Sequence, residues 1–147
     1  MNVNTVPTDP FDLQRFVQAQ DPVYAQVCAE LDAGAKTSHW MWFVFPQLRA
    51  LGRSATALHY GLASRDEAEA YWRHALLGPR LADCSARVAQ HAGRRGAQQI
   101  FGAIDAMKLR SCMTLFEAVA GAQAPVFGQV LAAFYAGERD SLTLAQL

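Results

Sequence analysis

From Asp9 onward the apolar residues of this 147-residue chain recur at three- and four-residue intervals, in short runs that open on helix-capping residues and close on glycine or proline. That punctuation is the strongest constraint on the fold, because no segment sustains period-two alternation with hairpin turn chemistry. Asp9-Pro10 and Asp21-Pro22 each set a carboxylate before a proline, the arrangement of an N-cap followed by the first helical residue. The first predicted helix buries Leu13, Phe16 and Val17; the second buries Val23, Val27 and Leu31 and stops at Gly34. Ser54 caps a short helix to about Tyr60. Ser64 to Glu67, "SRDE", reads as a capping box whose helix carries Ala68, Tyr71, Trp72 and Ala75 on one face. Gly78-Pro79 breaks that helix and starts another, with Leu81, Cys84 and Val88 inward. Asp105 caps a helix to about Ala120, and Pro125 to Tyr135 forms the next, turning Val126, Val130, Leu131 and Phe134 inward before Gly137. The expectation is an all-α fold: a single-domain orthogonal multi-helix bundle of about six to eight helices over residues 9–147, preceded by a flexible N-terminus at residues 1–8.

A domain of this length buries roughly 70% of the surface its unfolded chain exposes. With 52% hydrophobic and 18% charged residues, the chain is rich in core formers and poor in charge. Either much of its surface is therefore small and mildly polar, or some of it is an interface, for a homodimer or another partner. Thirteen basic residues balance thirteen acidic ones, so no global field attracts nucleic acid or anionic lipid, and neither is expected as a partner. The N-terminus has no basic n-region or apolar h-region, and the longest apolar run falls far short of the ~18 residues of a membrane span. Cys28, Cys84 and Cys112 are odd in number and widely spaced, which reads as free thiols in a cytoplasmic protein. Neither they nor His39, His59, His74 and His91 form a metal-ligand motif, so no metal or cofactor is expected.

Residues 36–48, "KTSHWMWFVFPQL", are undecided. Six apolar residues, Trp40 to Phe45, separate a polar entry (Lys36, Ser38, His39) from Pro46. A short buried helix capped by Ser38 and a buried strand both fit this run. Large aromatics dominate cores, yet Trp40 and Trp42 beside Lys36 can also stack on a base or a nicotinamide-like ring. A helix N-terminus next to a lysine is also a natural anion seat.

In residues 101–116, "FGAIDAMKLRSCMTLF", helical geometry brings Cys112, Leu115 and Val119 within about 40° of Lys108. Arg110, Thr114 and Glu117 take the opposite face. Burial and the helix dipole both disfavour a lysine there, and three resolutions follow: the stem packs while the ammonium reaches water, a structural ion pair forms, or an anion site exists. Arg73, Arg80, Arg87 and Arg94 recur every seven residues, with Asp83 placed to pair with both Arg80 and Arg87. That line reads as a solvated helix face or as a phosphate-binding strip. The candidate catalytic residues are thus Asp105, Lys108 and His39, and the candidate ligand contacts are Lys36, Ser38, Trp40, Trp42, Arg80 and Ser111. Glycine-rich nucleotide loops, a nucleophile elbow and a His-Glu-x-x-His motif are missing.

The stretches "RFVQAQ", "ELDAGAKTSHWMWFVFPQLRALGRS", "EAEAYWRHALLGPRL", "IFG", "KLRSCMTLF" and "TLAQL", in that order, resemble family 1810 of the domains of unknown function, small and mostly helical proteins sometimes mislabelled calpastatin. The resemblance runs from Arg15 to Leu147. It implies one mostly α-helical domain and carries no activity with it. Family members commonly have a proline and paired acids where this chain has Ile104-Asp105-Ala106, and a serine at Cys112, so only Asp105 can take a carboxylate role there. A fainter similarity, through the aromatic stretch, His59-Tyr60, "LGPRL" and a lysine-containing helix ending in Leu-Phe, is to glycosidases of ADP-ribose conjugates and riboflavin-pathway intermediates. Their motif glutamate is Leu58 here, so no catalytic acid transfers. The leading expectation is a domain that binds or processes a phosphorylated, nucleotide-like small molecule. The alternatives are an N-glycosidase acting on ADP-ribose-type conjugates and a non-enzymatic homodimeric or partner-binding module.

Overall fold

The apolar stripes converge on one continuous core: Phe16 of the first, Val27 and Leu31 of the second, and Leu81, Cys84 and Val88 of a later helix are all essentially solvent-free within it. A computed structural model describes residues 8–147; the expected flexible segment at residues 1–8 lies outside the described residues apart from Thr8. Among the described residues there are nine α-helices: α1 (Gln14–Gln20), α2 (Tyr24–Ala33), α3 (Met41–Val44), α4 (Ala55–Tyr60), α5 (Arg65–Arg73), α6 (Leu77–Ala89), α7 (Ala97–Ala120), α8 (Val126–Tyr135) and α9 (Ser141–Gln146). The all-α single-domain expectation holds, and the only β-type pairing among these residues is an isolated parallel bridge between Leu48 and Leu62. The count exceeds the expected range through two short helices. One is the single turn α3; the other is α9, whose N-cap Asp140 accepts from the Thr143 amide at 3.0 Å. None of the nine is long and apolar enough to cross a membrane.

The long helix α7 is the spine, packed against α5, α8 and α9, while α6 joins α2, α5 and α8. An aromatic chain ties these layers: Phe16 meets Tyr71 edge-on at 5.0 Å, Tyr71 meets Phe116 at 5.5 Å, and Phe116 meets Phe127 at 6.0 Å. Full burial of such side chains stabilises by roughly 1.5–3 kcal/mol each. The Tyr71 hydroxyl is not orphaned, because it accepts from Gln20 Nε2 at 3.1 Å.

Several helix ends differ from the sequence reading. Asp9 does cap, but its carboxylate reaches the amides of Leu13 and Gln14 (2.8 and 3.0 Å), so α1 starts four residues later than Asp9-Pro10 suggests. Asp21 does not N-cap α2: its amide closes α1, its carboxylate pairs with Arg80 at 2.9 Å, and Val23 opens α2. Ser64 accepts from the Glu67 amide as a capping box requires, but Glu67 reaches back to Ala63 rather than Ser64. Helix α5 ends at Arg73, before Gly78-Pro79, which lie inside the first turn of α6. Gly78 is there because a Cβ would stand 2.1 Å from the Trp72 carbonyl oxygen. Residues 38–46 resolve into one helical turn and not a strand. Phe45, which precedes a proline and so is kept out of the helical region, has φ −122° and ψ 72°, and the turn ends there. Its N-cap is Trp40, so Ser38 does not cap it.

Candidate functional site

The loop carrying Lys36, Ser38 and His39 is held by a residue that the sequence reading passed over. Glu30, only 5% exposed near the end of α2, turns its carboxylate into the fold. It accepts from the amides of Thr37 (2.7 Å) and Ser38 (2.9 Å), from Trp40 Nε1 (3.0 Å), from Gln26 Nε2 (2.8 Å) and from the Ser38 hydroxyl. Burial alone raises the pKa of such a carboxyl, but the hydrogen bonds from Ser38, Gln26 and Thr37 outweigh it and hold Glu30 well below the ordinary carboxylate range. Gly34, left-handed at φ 67°, reverses the chain so that the loop can return beneath α2. The Lys36 amide then donates to the Ile100 carbonyl at 2.8 Å, fastening the loop to the start of α7.

Helix α7 is broken at Gly102, whose φ of 81° and ψ of 166° are non-helical, into pieces spanning 97–101 and 103–120. Asp105 is therefore the third residue of the second piece and not its cap. A carboxylate in that first turn complements the positive end of the helix dipole. Lys108 falls in the second turn, where the dipole penalty anticipated from sequence is weaker.

Loop and helix meet at this carboxylate. Lys36, with its side chain 7% exposed, places Nζ 2.8 Å from Asp105 Oδ2 and donates to the Ser38 carbonyl at 2.7 Å. Lys108 Nζ stands 3.8 Å from Asp105 Oδ1, with its side chain 24% exposed. Each ammonium also faces an indole: Lys36 lies 5.0 Å from the Trp40 ring centroid and Lys108 5.3 Å from that of Trp42, within cation–π range. Two cations share one anion. Counted alone these three groups carry one net positive charge, and the ionised Glu30 carboxylate lies close behind them, bonded to Ser38 and Trp40.

The sequence-derived candidates thus divide. Lys36, Asp105 and Lys108 converge, with Trp40 and Trp42 beside them and Ser38 contributing its carbonyl. Trp40 is 1% exposed and its Nε1 is committed to Glu30, so it is a wall and not a free stacking platform. Trp42, in α3, is half-buried, and His39, on the preceding loop, is exposed. Ser111 is buried and its hydroxyl donates to the Met107 carbonyl at 3.3 Å, so it stays on its own helix. Arg80 is elsewhere, pairing with Asp21, donating to Gln20 Oε1 at 3.3 Å and lying 4.5 Å over the Tyr24 ring. Asp83 pairs with Arg87 alone (3.0 Å), and Arg87 also reaches Asp32 at 2.6 Å. The central pair of the arginine line is thereby paired with acids. Glu30 was visible in principle: it follows Val23 and Val27 at positions that continue the apolar stripe of α2, where a carboxylate must find donors.

The family described as "Protein of unknown function (DUF1810)" matches residues 10–147. The crystal structure of the conserved hypothetical protein Rv1873 from Mycobacterium tuberculosis is similar at 53% identity and a TM-score of 0.90, over 95% of this chain and 98% of that one. No curated protein matches. The faint glycosidase similarity gains no support from these comparisons.

Proposed function

The chain belongs to the DUF1810 family, and from that premise we propose that the Lys36–Asp105–Lys108 cluster binds the anionic end of a phosphorylated, nucleotide-like small molecule. The observation carrying this reading is the convergence of two ammonium groups on one carboxylate beside a half-buried indole, with Lys108 the more exposed and more loosely paired of the two. Lys36 spends two of its three N–H donors on Ser38 and Asp105. Lys108 makes no hydrogen bond among the described residues, so its donors are open to a phosphate oxygen. Trp42 offers ring surface to a base, and His39 stands exposed at the rim. Asp105 organises the two lysines. With a lysine at each of its oxygens, it is poorly disposed to act as the acid or base that N-glycosidic cleavage needs, which favours binding over the glycosidase reading.

A second reading, the interaction module, draws on a separate observation. Trp40, Met41, Val44 and Phe45 fill the core, while Ile104 and Met107 stand 71% and 65% exposed on α7. A thermal-shift screen with ADP, ADP-ribose, NAD, sugar phosphates and inorganic phosphate separates the two, since a ligand of the native state raises the melting temperature. The binding reading expects a rise with a phosphorylated class that vanishes in Lys108→Ala. An unresponsive protein whose melting temperature instead climbs with its own concentration points to self-association.

A further inference from the structure

Two surface clefts contain arginines, and two of these, Arg15 and Arg110, are in opposite states. In the cleft of about 420 Å³ that includes Arg49, His59 and Glu67, Arg15 is saturated: it donates to the carbonyls of Phe11, Asp12, His59 and Gly61 and to the Glu67 carboxylate. In the groove of about 410 Å³ between the kinked start of α7 and the end of α8, Arg110 makes no side-chain hydrogen bond among the described residues. Its Nε is buried without a partner, and the nearest acids, Glu138 and Asp140, stand at 3.8 and 4.0 Å, beyond hydrogen-bond reach. Asp140 is further committed, through its other oxygen, to Thr143.

The rest of that groove is mainly apolar. Ala97, Ala103 and Ala106 leave the space, while Met107, Phe134 and Tyr135 wall it. The Tyr135 hydroxyl is spent on the Ala106 carbonyl, so it offers the groove no free donor. Gln98 and Gln99 line its edge, the volume lies within the range of small-molecule sites, and a mainly apolar wall with a few polar groups, here with Arg110 as the charged one, is their usual composition. We infer that this groove binds a small organic carboxylate with an apolar body, its carboxylate on the Arg110 guanidinium and its body along Met107 and Phe134. A guanidinium fork matches a carboxylate in a bidentate pair. Glu138 and Asp140, 3.8 and 4.0 Å from the guanidinium, repel any anion bound there and a phosphate dianion more than a monoanion, so the ligand class is a monocarboxylate. This inference does not rest on the lysine cluster.

Isothermal titration with octanoate tests it, using octanamide as the neutral counterpart and acetate as the carboxylate without the apolar body. Octanoate is expected to bind saturably at one site, with octanamide at least about tenfold weaker because hydrogen bonds to charged groups are stronger than neutral ones, and acetate at least about tenfold weaker because it buries no apolar chain. Arg110→Gln should weaken octanoate to the same degree, and Lys108→Ala should leave it unchanged. Ala103→Phe, at an exposed position, should fill the groove and abolish binding while circular dichroism stays native. Equal binding of octanoate and octanamide, octanoate binding indifferent to both Arg110→Gln and Ala103→Phe, or no saturable binding overturns the inference. So does a dimer by light scattering that Ala103→Phe dissociates, because the groove's occupant is then a second copy.

Discussion

Replacing Glu30 by alanine removes the clamp on the candidate site, and the magnitude follows from its partners. The Trp40 indole N–H is buried and loses the Glu30 acceptor, a desolvation cost of about 1–3 kcal/mol. The amides of Thr37 and Ser38 lose a charged acceptor worth about 1.5–3 kcal/mol each, but both residues are partly or wholly exposed and water recovers most of that. The sum is about 3–5 kcal/mol, a large share of the 5–15 kcal/mol typical of a domain. At this chain length it corresponds to a fall of roughly 10 °C in melting temperature. Urea denaturation followed by tryptophan fluorescence measures it, with an unchanged slope confirming that native stability and not the unfolded state has moved. A loss below about 1 kcal/mol at constant slope refutes the claim that Glu30 organises residues 36–40.

The same carboxylate sets a pH dependence. Its folded pKa is depressed, so its contribution is complete above the unfolded glutamate value of about 4.3 and is lost as pH falls through the lower folded value. Stability measured by urea between neutral pH and strong acid should therefore show an acid limb that Glu30→Gln flattens. Lys36→Met strips a nearly buried partner from Asp105, which keeps Lys108 and some water, so a loss of about 2–3 kcal/mol is expected in calorimetry, less than for a fully buried pair. Lys108→Ala, at a more exposed pair of poorer geometry, should cost less than about 1 kcal/mol in the same assay. Gly78→Ala drives a Cβ against the Trp72 carbonyl and should destabilise by about 3 kcal/mol or more, read as a lowered urea midpoint.

Much of the helical architecture was legible because it is local. Periodicity and punctuation marked the stripes of α2, α6 and α8 and the Ser54 cap, and each is present. What escaped was long-range. Asp21 has cap chemistry beside a proline, but Arg80 of α6 takes its carboxylate, a competition that no local rule sees. The capping box at Ser64 fails by one residue because Arg15, arriving from α1, holds Glu67 at 2.8 Å. Residues 38–46 could not be assigned because a run that is apolar on every side carries no period. Its single turn is set by Glu30 before it and Pro46 after it. At the candidate site, the placement of Lys108 near an anion was readable from helical geometry, whereas its convergence with Lys36 depends on the Gly34 reversal and the Gly102 kink together. Glycines in a sequence announce freedom, not direction.

The binding claim is met most directly by following the three tryptophan indole N–H resonances in a ¹H–¹⁵N NMR titration with ADP. Trp42 faces Lys108, Trp40 faces Lys36 from inside the core, and Trp72 packs instead against Phe127 at 5.5 Å. A phosphate held by the two lysines should shift the Trp42 resonance saturably, move Trp40 less, leave Trp72 in place, and do none of this in Lys108→Ala. A titration in which Trp42 stays still, or moves equally in the Lys108→Ala protein, contradicts an anion site at Lys36, Asp105 and Lys108.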